Sequence, residues 1–258
     1  MHHPISPAIL YFGTPIILIS TTNPDGTTNI APMSSCWWLG HRAMLGLSSA
    51  SQTTQNLLRT KQCVLNLPTE DMTSAINLLA KTTGTNPVPE WKNSVGYVHV
   101  KDKFGHAGLH TQESETVDPE RILECPVQME AQLVVSHQMM GDMADKKGRL
   151  LAFEVKILRI HVEDELRLEG YENRIDSEQL RLVFMAFQDF YGMRRGKLGE
   201  SRLAQIGEEN YRGVTKTDVT YDLKANAVRE SGEVVLSEKV GDSVAVIRPQ
   251  TEYLAGCL

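Results

Sequence analysis

The chain has 258 residues, of which 41% are hydrophobic and 22% are charged. This composition is typical of a folded, soluble protein and excludes a disordered or fibrous chain, and the length fits one large β domain or one domain with a tail. The net charge of -6 and the absence of a lysine and arginine cluster exclude a nucleic-acid groove, which needs concentrated positive charge.

The cysteine pattern bears on the cellular compartment. The four cysteines, Cys36, Cys63, Cys125 and Cys257, show no C-x-x-C pair and no spacing typical of a disulfide framework or a zinc site. We therefore expect free thiols and a cytoplasmic protein. No segment reaches the roughly 18 apolar residues of a membrane helix, and no signal peptide is visible. Small molecules are the expected partners, with no nucleic acid and no membrane, and the histidines have no metal-ligand spacing.

Short apolar runs predict four strands in the first part of the chain, at residues 15–20, 28–32, 43–47 and 63–67. The first two flank the turn signal Asn23-Pro24-Asp25-Gly26, so they form a predicted hairpin. A brief helix is expected at residues 53–60. Apolar residues at helical spacing predict an amphipathic helix from Asp71 to Thr82, with Gly84 placed to end it.

Two longer strands are predicted in the second half. Apolar residues alternate with Gln128, Glu130 and Gln132 over residues 127–135, which predicts a strand with one face in water. The apolar residues over 151–162 change phase at Leu158, as in a β-bulge or in a strand whose end is buried on both sides.

The last part of the chain contains one predicted helix and a change in composition. Ser177 is a predicted N-cap for a helix that ends at Gly192. Its core face would comprise Leu180, Val183, Phe184, Phe187 and Tyr191. Residues 193–258 are predicted to be a C-terminal tail or accessory segment, with a hairpin at 233–247. Many strands and few helices predict a mainly β fold, a β-barrel with a few helices.

The first candidate binding segment runs from Asn29 to Trp38. Pro32 cannot donate to a strand ladder and so marks a sheet edge, whose free backbone groups and small side chains suit a flavin ring. Adjacent strand residues face opposite ways, so at most one of Trp37 and Trp38 approaches a ligand. An ordinary sheet edge with packing tryptophans explains the segment equally well.

Two further segments are candidates. The hydroxyl and amide run from Ser48 to Asn56 precedes a short helix, where a phosphate would meet hydroxyl donors and free amides. A Ser/Thr-rich loop before a capped helix is the alternative. Residues 101–109 form a predicted glycine-punctuated loop with a cation and an aromatic ring, for which a solvated loop is the alternative.

In their order, these segments resemble the flavin reductase-like family. The resemblance covers roughly Ala8 to Gly192, and nothing after Arg212 matches. It is carried by residues 11–21, 29–40, 44–47, 52–60, 63–68, 102–104 and 123–126. It implies an FMN-binding split β-barrel over residues 8–192, and a homodimer with FMN near the subunit interface.

The resemblance also implies roles for individual residues. The segment from Ala31 to Ser35 would line the flavin ring and ribityl chain, and the segment from Ser48 to Thr54 would hold the phosphate. Lys103 lies where the family often places a basic residue near the cofactor. The predicted cofactor-binding residues are Asn29, Ala31, Pro32, Met33, Ser34, Ser35, Ser48, Ser49, Gln52, Thr53, Thr54 and Lys103.

The implied activity is that of an NAD(P)H-dependent flavin reductase. NADH or NADPH would donate a hydride to non-covalently bound FMN, and electrons would pass to free flavin, oxygen or a partner such as a monooxygenase. The chain has no G-x-G-x-x-G fingerprint, so the nicotinamide would stack transiently on the flavin. No acid-base residue is predicted. The alternatives are a flavin-binding electron carrier or storage protein without appreciable turnover, and an enzyme that uses the barrel without flavin.

Overall fold

The computed structural model describes residues 1–193 and 196–206, and the backbone of 237–240 and 243–246. The chain divides into two compact units, Met1–Lys216 and Thr217–Leu258. The strands of the first unit are β1 (Phe12–Pro15), β2 (Ile17–Thr22), β3 (Thr28–Met33), β4 (Cys36–Leu39), β5 (Arg42–Ser48), β6 (Gln62–Leu67), β7 (Thr82–Thr83), β8 (Val98–His99), β9 (Thr111–Gln112), β10 (Arg121–Ile122), β11 (Val127–Gln138), β12 (Leu150–Val162), β13 (Phe184–Ala186) and β14 (Asp189–Tyr191).

The α-helices of this unit are α1 (Gln52–Thr60), α2 (Thr73–Ala80), α3 (Glu90–Asn93) and α4 (Lys103–Ala107), with 3₁₀ turns at Glu70–Met72, Asp164–Leu166 and Arg202–Gln205. None of the helices in the described ranges has the length and apolar character needed to cross a bilayer. In the second unit, β15 (Ser237–Val240) pairs antiparallel with β16 (Ser243–Val246), as predicted for residues 233–247. The rest of the predicted tail beyond residue 206, including its turn at 241–242, lies outside the described residues.

Seven strands form one antiparallel sheet in the order β3-β2-β6-β11-β12-β5-β4. The predicted N-terminal hairpin is confirmed, with Ile17 paired to Met33 and Thr22 to Thr28. The strands predicted at 43–47 and 63–67 are confirmed as β5 and β6, and the brief helix as α1. The mainly β fold with few helices is therefore confirmed.

The main hydrophobic core shows that this sheet is strongly curved. It contains buried side chains from strands near opposite ends of the order, such as Ile19 on β2 and Cys36 on β4. In a flat sheet these strands would lie about 24 Å apart, at about 4.8 Å per strand. A shared core requires the sheet to curl on itself, as in a barrel.

A second core covers the outer face of β2 and β3. Leu18 and Ile30 pack there with Ile76 and Leu79 of α2 and with Phe104 of α4. Strand β2 is therefore buried on both faces, which explains its unbroken apolar run. Helices α2 and α4 lie directly behind the sheet edge that carries the first candidate segment.

Two predictions for residues 71–109 need correction. The predicted helix from Asp71 to Thr82 begins as a 3₁₀ turn and continues as α2, which ends early because Thr82 and Thr83 pair with β8. The predicted loop at 101–109 contains α4, because the Asp102 side chain accepts from the amide of Gly105 at 2.9 Å and Gly108 ends the helix at φ 67°.

The predicted water-facing side of β11 is wrong for its first half. Gln128 is 5% exposed and Glu130 is fully buried, although Gln132 is exposed. The segment 111–122 covers these side chains and satisfies their hydrogen bonds: the amides of Glu115 and Thr116 both donate to the Glu130 carboxylate. The predicted bulge on β12 is confirmed, because Glu130 pairs with Arg159 and Ala131 with Ile157, which leaves Leu158 unpaired.

The helix predicted from Ser177 to Gly192 is also wrong. Strands β13 and β14 form a hairpin there, and β13 pairs with β1. The amide of Phe187 donates to the main-chain oxygen of Tyr11 at 2.7 Å. Aromatic and β-branched residues suit a strand when a partner edge is available, so pairing with β1 outweighed the helical spacing.

Candidate functional site

Strand β3 is an edge strand of the seven-stranded sheet, as predicted from Pro32. Its first buried polar residue, Asn29, is 3% exposed, and its Nδ2 donates to Thr53 Oγ1 at 3.4 Å. The following residues, from Ala31 to Ser35, are partly exposed. The edge thus joins a buried amide side chain to a strip of accessible backbone and small side chains.

The loop before α1 forms a capped helix start. Ser51 is the N-cap, and its Oγ accepts from the amide of Thr54 at 3.1 Å. The buried Thr54 hydroxyl donates to the oxygen of Ser48 at 2.8 Å, so it is already used within the cap. The amides of Gln52 and Thr53 lie in the first turn, where the helix itself supplies no acceptor.

Gly84 brings a third segment against this site. A Cβ placed on Gly84 would lie 2.7 Å from Asn29 Oδ1 and 2.9 Å from Gln52 Cγ. Any side chain would clash, so only glycine permits this approach. Gly84 was predicted to end α2, but the structure instead places it in contact with the two predicted binding residues.

Two buried lysines lie beside these residues. Lys103 Nζ donates to the main-chain oxygen of Ile30 at 2.9 Å, and Lys92 Nζ to Thr83 Oγ1 at 3.4 Å. Burial lowers the pKa of both, and repulsion from Lys92 helps to bring the pKa of Lys103 to about 8. In the described part of the chain, neither ammonium forms an ion pair.

Lys92 lies beside two aromatic rings. Lys92 lies 5.4 Å from the centroid of the Trp91 ring and 5.7 Å from that of Tyr97, within cation–π range.

On β4, Trp37 is exposed, whereas Trp38 is partly buried against the main core. The two tryptophans therefore face opposite ways, as predicted.

The predicted site residues fall into groups. Asn29, Gln52, Thr53 and Lys103 are linked through direct contacts or through neighbouring backbone. Ser35 lies instead against Gly46, whose added Cβ would be 3.0 Å from Ser35 Cβ. The structure thus brings together the start of β3, the first turn of α1 and α4.

Sequence reasoning missed three contributors, Thr83, Gly84 and Lys92. The signal for Lys92 was a lysine next to Trp91 and close to Tyr97 in a chain with few aromatic residues. No group of three or more metal-ligating side chains occurs among the residues described.

A protein-family model, that of the flavin reductase like domain, matches residues 9–177 of the sequence. The Bacillus subtilis (strain 168) protein YdfE, itself uncharacterized, is 36% identical over 191 residues, which cover 74% of this chain and 89% of YdfE.

Two solved structures share the fold at low sequence identity. Flavoredoxin of Desulfovibrio vulgaris (Miyazaki F) matches with a TM-score of 0.63 and 18% identity, over 79% of this chain and 98% of that chain. Nitrilotriacetate monooxygenase component B from Bacillus cereus matches with a TM-score of 0.57 and 19% identity, over 75% and 87%. With more than half of the sequence matched by the domain model, the chain belongs to the flavin reductase-like family and has its split-barrel fold.

Proposed function

We propose that this protein binds FMN non-covalently and works as an NAD(P)H-dependent flavin reductase. The observation that carries the proposal is the meeting of Asn29, Gln52, Thr53 and Lys103 at the open edge of β3. These residues come from three separate parts of the chain, around positions 29, 52–53 and 103, and each was predicted to bind the cofactor. Family membership supports the same ligand.

The residues present fit FMN. The accessible backbone of β3 offers donors and acceptors for the polar edge of a flavin, and Gly84 leaves the Asn29 and Gln52 side chains in close contact with backbone. The buried ammoniums of Lys92 and Lys103 have no anionic partner among the described residues, so an anionic ligand would offset the cost of their burial.

In this proposal, Asn29 and the segment Ala31, Pro32, Met33, Ser34 and Ser35 line the ring and the ribityl chain. Ser48, Ser49, Gln52 and Thr53 face the phosphate, with Thr54 holding the loop through its bond to Ser48. Bound FMN would accept the hydride of NADH or NADPH and pass electrons onward. The protein orients the ring and limits access of water.

We also propose a cytoplasmic homodimer with FMN near the subunit interface. The described cysteines are free and buried, in accord with a reducing compartment. Val134 is 53% exposed and Met139 is 43% exposed on the part of β11 and its following loop that extends beyond β6, a surface suited to a second subunit. A monooxygenase partner would receive reduced flavin.

Anaerobic mixing tests the reductase claim. The FMN-loaded protein is mixed with NADH or NADPH, and the visible absorption of the flavin is followed. Bleaching with either nucleotide is expected. FMN that stays bound and oxidised would contradict reductase activity and favour the electron carrier or storage protein.

A further inference from the structure

We propose that Lys92 and Lys103 together form a phosphoryl-anion subsite that makes the site select phosphorylated ligands, FMN over riboflavin. The inference rests on the proposed function, because it assigns the ligand group that the flavin site recognises. Lys92 was not among the predicted cofactor-binding residues, and its inclusion turns a single basic residue into a pair.

The Lys103 side chain is directed back towards the sheet and not into water. Helix α4 is fixed by its Asp102 cap and by Phe104, which is buried in the second core. The Lys103 side chain is 4% exposed and turns back to β3, where its ammonium bonds to the oxygen of Ile30, the residue after Asn29. A lysine with a merely solubilising role would extend into water.

Lys92 is a second buried lysine beside the same contact. It is 7% exposed, and its ammonium donates to Thr83, the residue before Gly84. The two ammoniums lie close enough that the charge of Lys92 disfavours protonation of Lys103. Thr85 places a buried hydroxyl in the same segment, and that Oγ1 has no hydrogen-bond partner among the described residues. The segment 83–85 thus joins Lys92 to the contact between Gly84 and Asn29.

The energetics separate this pair from ordinary core lysines. Each ammonium has three donors, yet each forms a single hydrogen bond to a neutral oxygen within the described residues. A buried charge without an opposite charge is costly, and two such charges near each other are more costly still. A phosphate dianion would offset both the desolvation and the mutual repulsion of the pair.

The phosphoryl group has two sources at this site. One is the terminal phosphate of FMN, and the other is the diphosphate of the nicotinamide dinucleotide. Both present anionic oxygens to the ammoniums, so the shared chemistry is a phosphoryl anion. Comparing FMN with riboflavin, and then titrating NADH into FMN-loaded protein, distinguishes the sources.

The experiment uses Lys92→Met and Lys103→Met, with Lys101→Met as a matched control, because the Lys101 side chain is 77% exposed and carries the same charge. Dissociation constants for FMN and riboflavin are measured by fluorescence quenching. We expect each buried-site variant to bind FMN roughly 10- to 150-fold more weakly, the effect of losing a hydrogen bond to a charged group. Riboflavin binding should be unchanged, and the control should match the wild type.

Equal weakening of FMN and riboflavin, or no weakening of any ligand, would overturn the proposal. Selective weakening of NADH binding alone would overturn the selection of FMN over riboflavin and would assign the phosphoryl subsite to the dinucleotide. In all of these outcomes the wild-type protein still takes up flavin, so they are distinct from failure of the proposed function.

A readout independent of flavin is thermal unfolding in sodium phosphate against sodium chloride of equal ionic strength. Phosphate should raise the melting temperature of the wild type and of Lys101→Met, but not that of the two buried-site variants. If the wild type takes up no flavin yet shows this phosphate effect, the subsite stands and the proposed function fails. If phosphate raises the melting temperature of all four proteins equally, or of none, the subsite is overturned.

Discussion

Gly84 packs so tightly against Asn29 that a Cβ on Gly84 would lie 2.7 Å from Asn29 Oδ1. Gly84→Ala must therefore displace Asn29 or the segment around residue 84. We expect a loss of about 1–3 kcal/mol in the free energy of unfolding, as for other overpacked sites, together with weaker FMN binding. Urea denaturation and FMN titration measure the two effects.

Gly141→Ala is the matched control, because a Cβ there would meet no atom of the described residues within 4 Å. The control should leave FMN binding unchanged. Wild-type FMN affinity in Gly84→Ala would contradict the placement of the flavin beside Asn29.

The hydroxyls of Ser49 and Thr53 provide a test of the phosphate placement at α1. Ser49→Ala and Thr53→Ala should each weaken FMN binding by about 1.5–3 kcal/mol if the hydroxyl donates to the phosphate. Ser74→Ala on the exposed surface of α2 is the control. Unchanged FMN affinity in both variants, measured by fluorescence titration, would exclude this placement.

The pH dependence of FMN binding follows from Lys103, which faces the charge of Lys92. Its pKa is lowered from 10.5 to about 8 by burial and by that charge, so the ammonium is lost as the pH rises through 8. FMN affinity should fall between pH 7 and pH 9, and Lys103→Met should remove this dependence. An FMN dissociation constant that stays constant over this range in the wild type would contradict the role of Lys103.

The lowered pKa of Lys103 has the opposite effect on the stability of the ligand-free protein, which should rise with pH. Between pH 8 and 10.5 the unfolded chain holds more protons on this lysine than the folded protein does. The contribution of Lys103 to the free energy of unfolding therefore increases as the pH rises through this window. Comparison of wild type with Lys103→Met by urea denaturation at several pH values isolates the contribution. A free energy of unfolding of the wild type that falls or stays constant relative to that of Lys103→Met as the pH rises would contradict this contribution.

Buried Glu130 should control stability in acid. Burial alone would raise its pKa, but hydrogen bonds from His161, Thr116 and Glu115 outweigh burial and lower the pKa from 4.5 to about 2. The stabilisation is therefore present above pH 4.5 and is lost as the pH falls towards 2. Glu130 forms a buried ion pair with Arg121, whose Nε lies 3.7 Å from Glu130 Oε1. Glu130→Gln should therefore cost about 3 kcal/mol at pH 7, the lower end for breaking a buried ion pair.

Glu154→Gln is the control for this prediction, because Glu154 is a partly exposed member of an ion pair with Arg42 on neighbouring strands. Such pairs contribute about 0–1 kcal/mol. Denaturant unfolding at pH 7 and pH 3 compares the variants. An effect of Glu130→Gln no larger than that of the control would show that the carboxylate does not hold segment 111–122 on β11.

Local signals in the sequence predict the elements whose partners are close in the chain. The hairpin of β2 and β3 follows from its turn, and α1 follows from its hydroxyl-rich start. Glu130 and Phe187 show why other predictions failed. The covering segment that buries Glu130 and the β1 edge that pairs with β13 come from elsewhere in the chain, so neither is visible in local periodicity.

The candidate site was predictable to a similar extent. Asn29, Gln52, Thr53 and Lys103 were predicted through resemblance, and the structure brings them together. Lys92 was missed because its burial depends on Thr83 and on aromatic neighbours, a three-dimensional environment that its sequence position does not reveal.

The most direct test of the central claim is a titration of the purified wild-type protein with FMN, followed by visible absorption and flavin fluorescence. The proposed site predicts saturable uptake of one FMN per chain, with quenched fluorescence and a shifted flavin absorption band. A colourless protein that leaves added FMN free in solution would contradict the proposal.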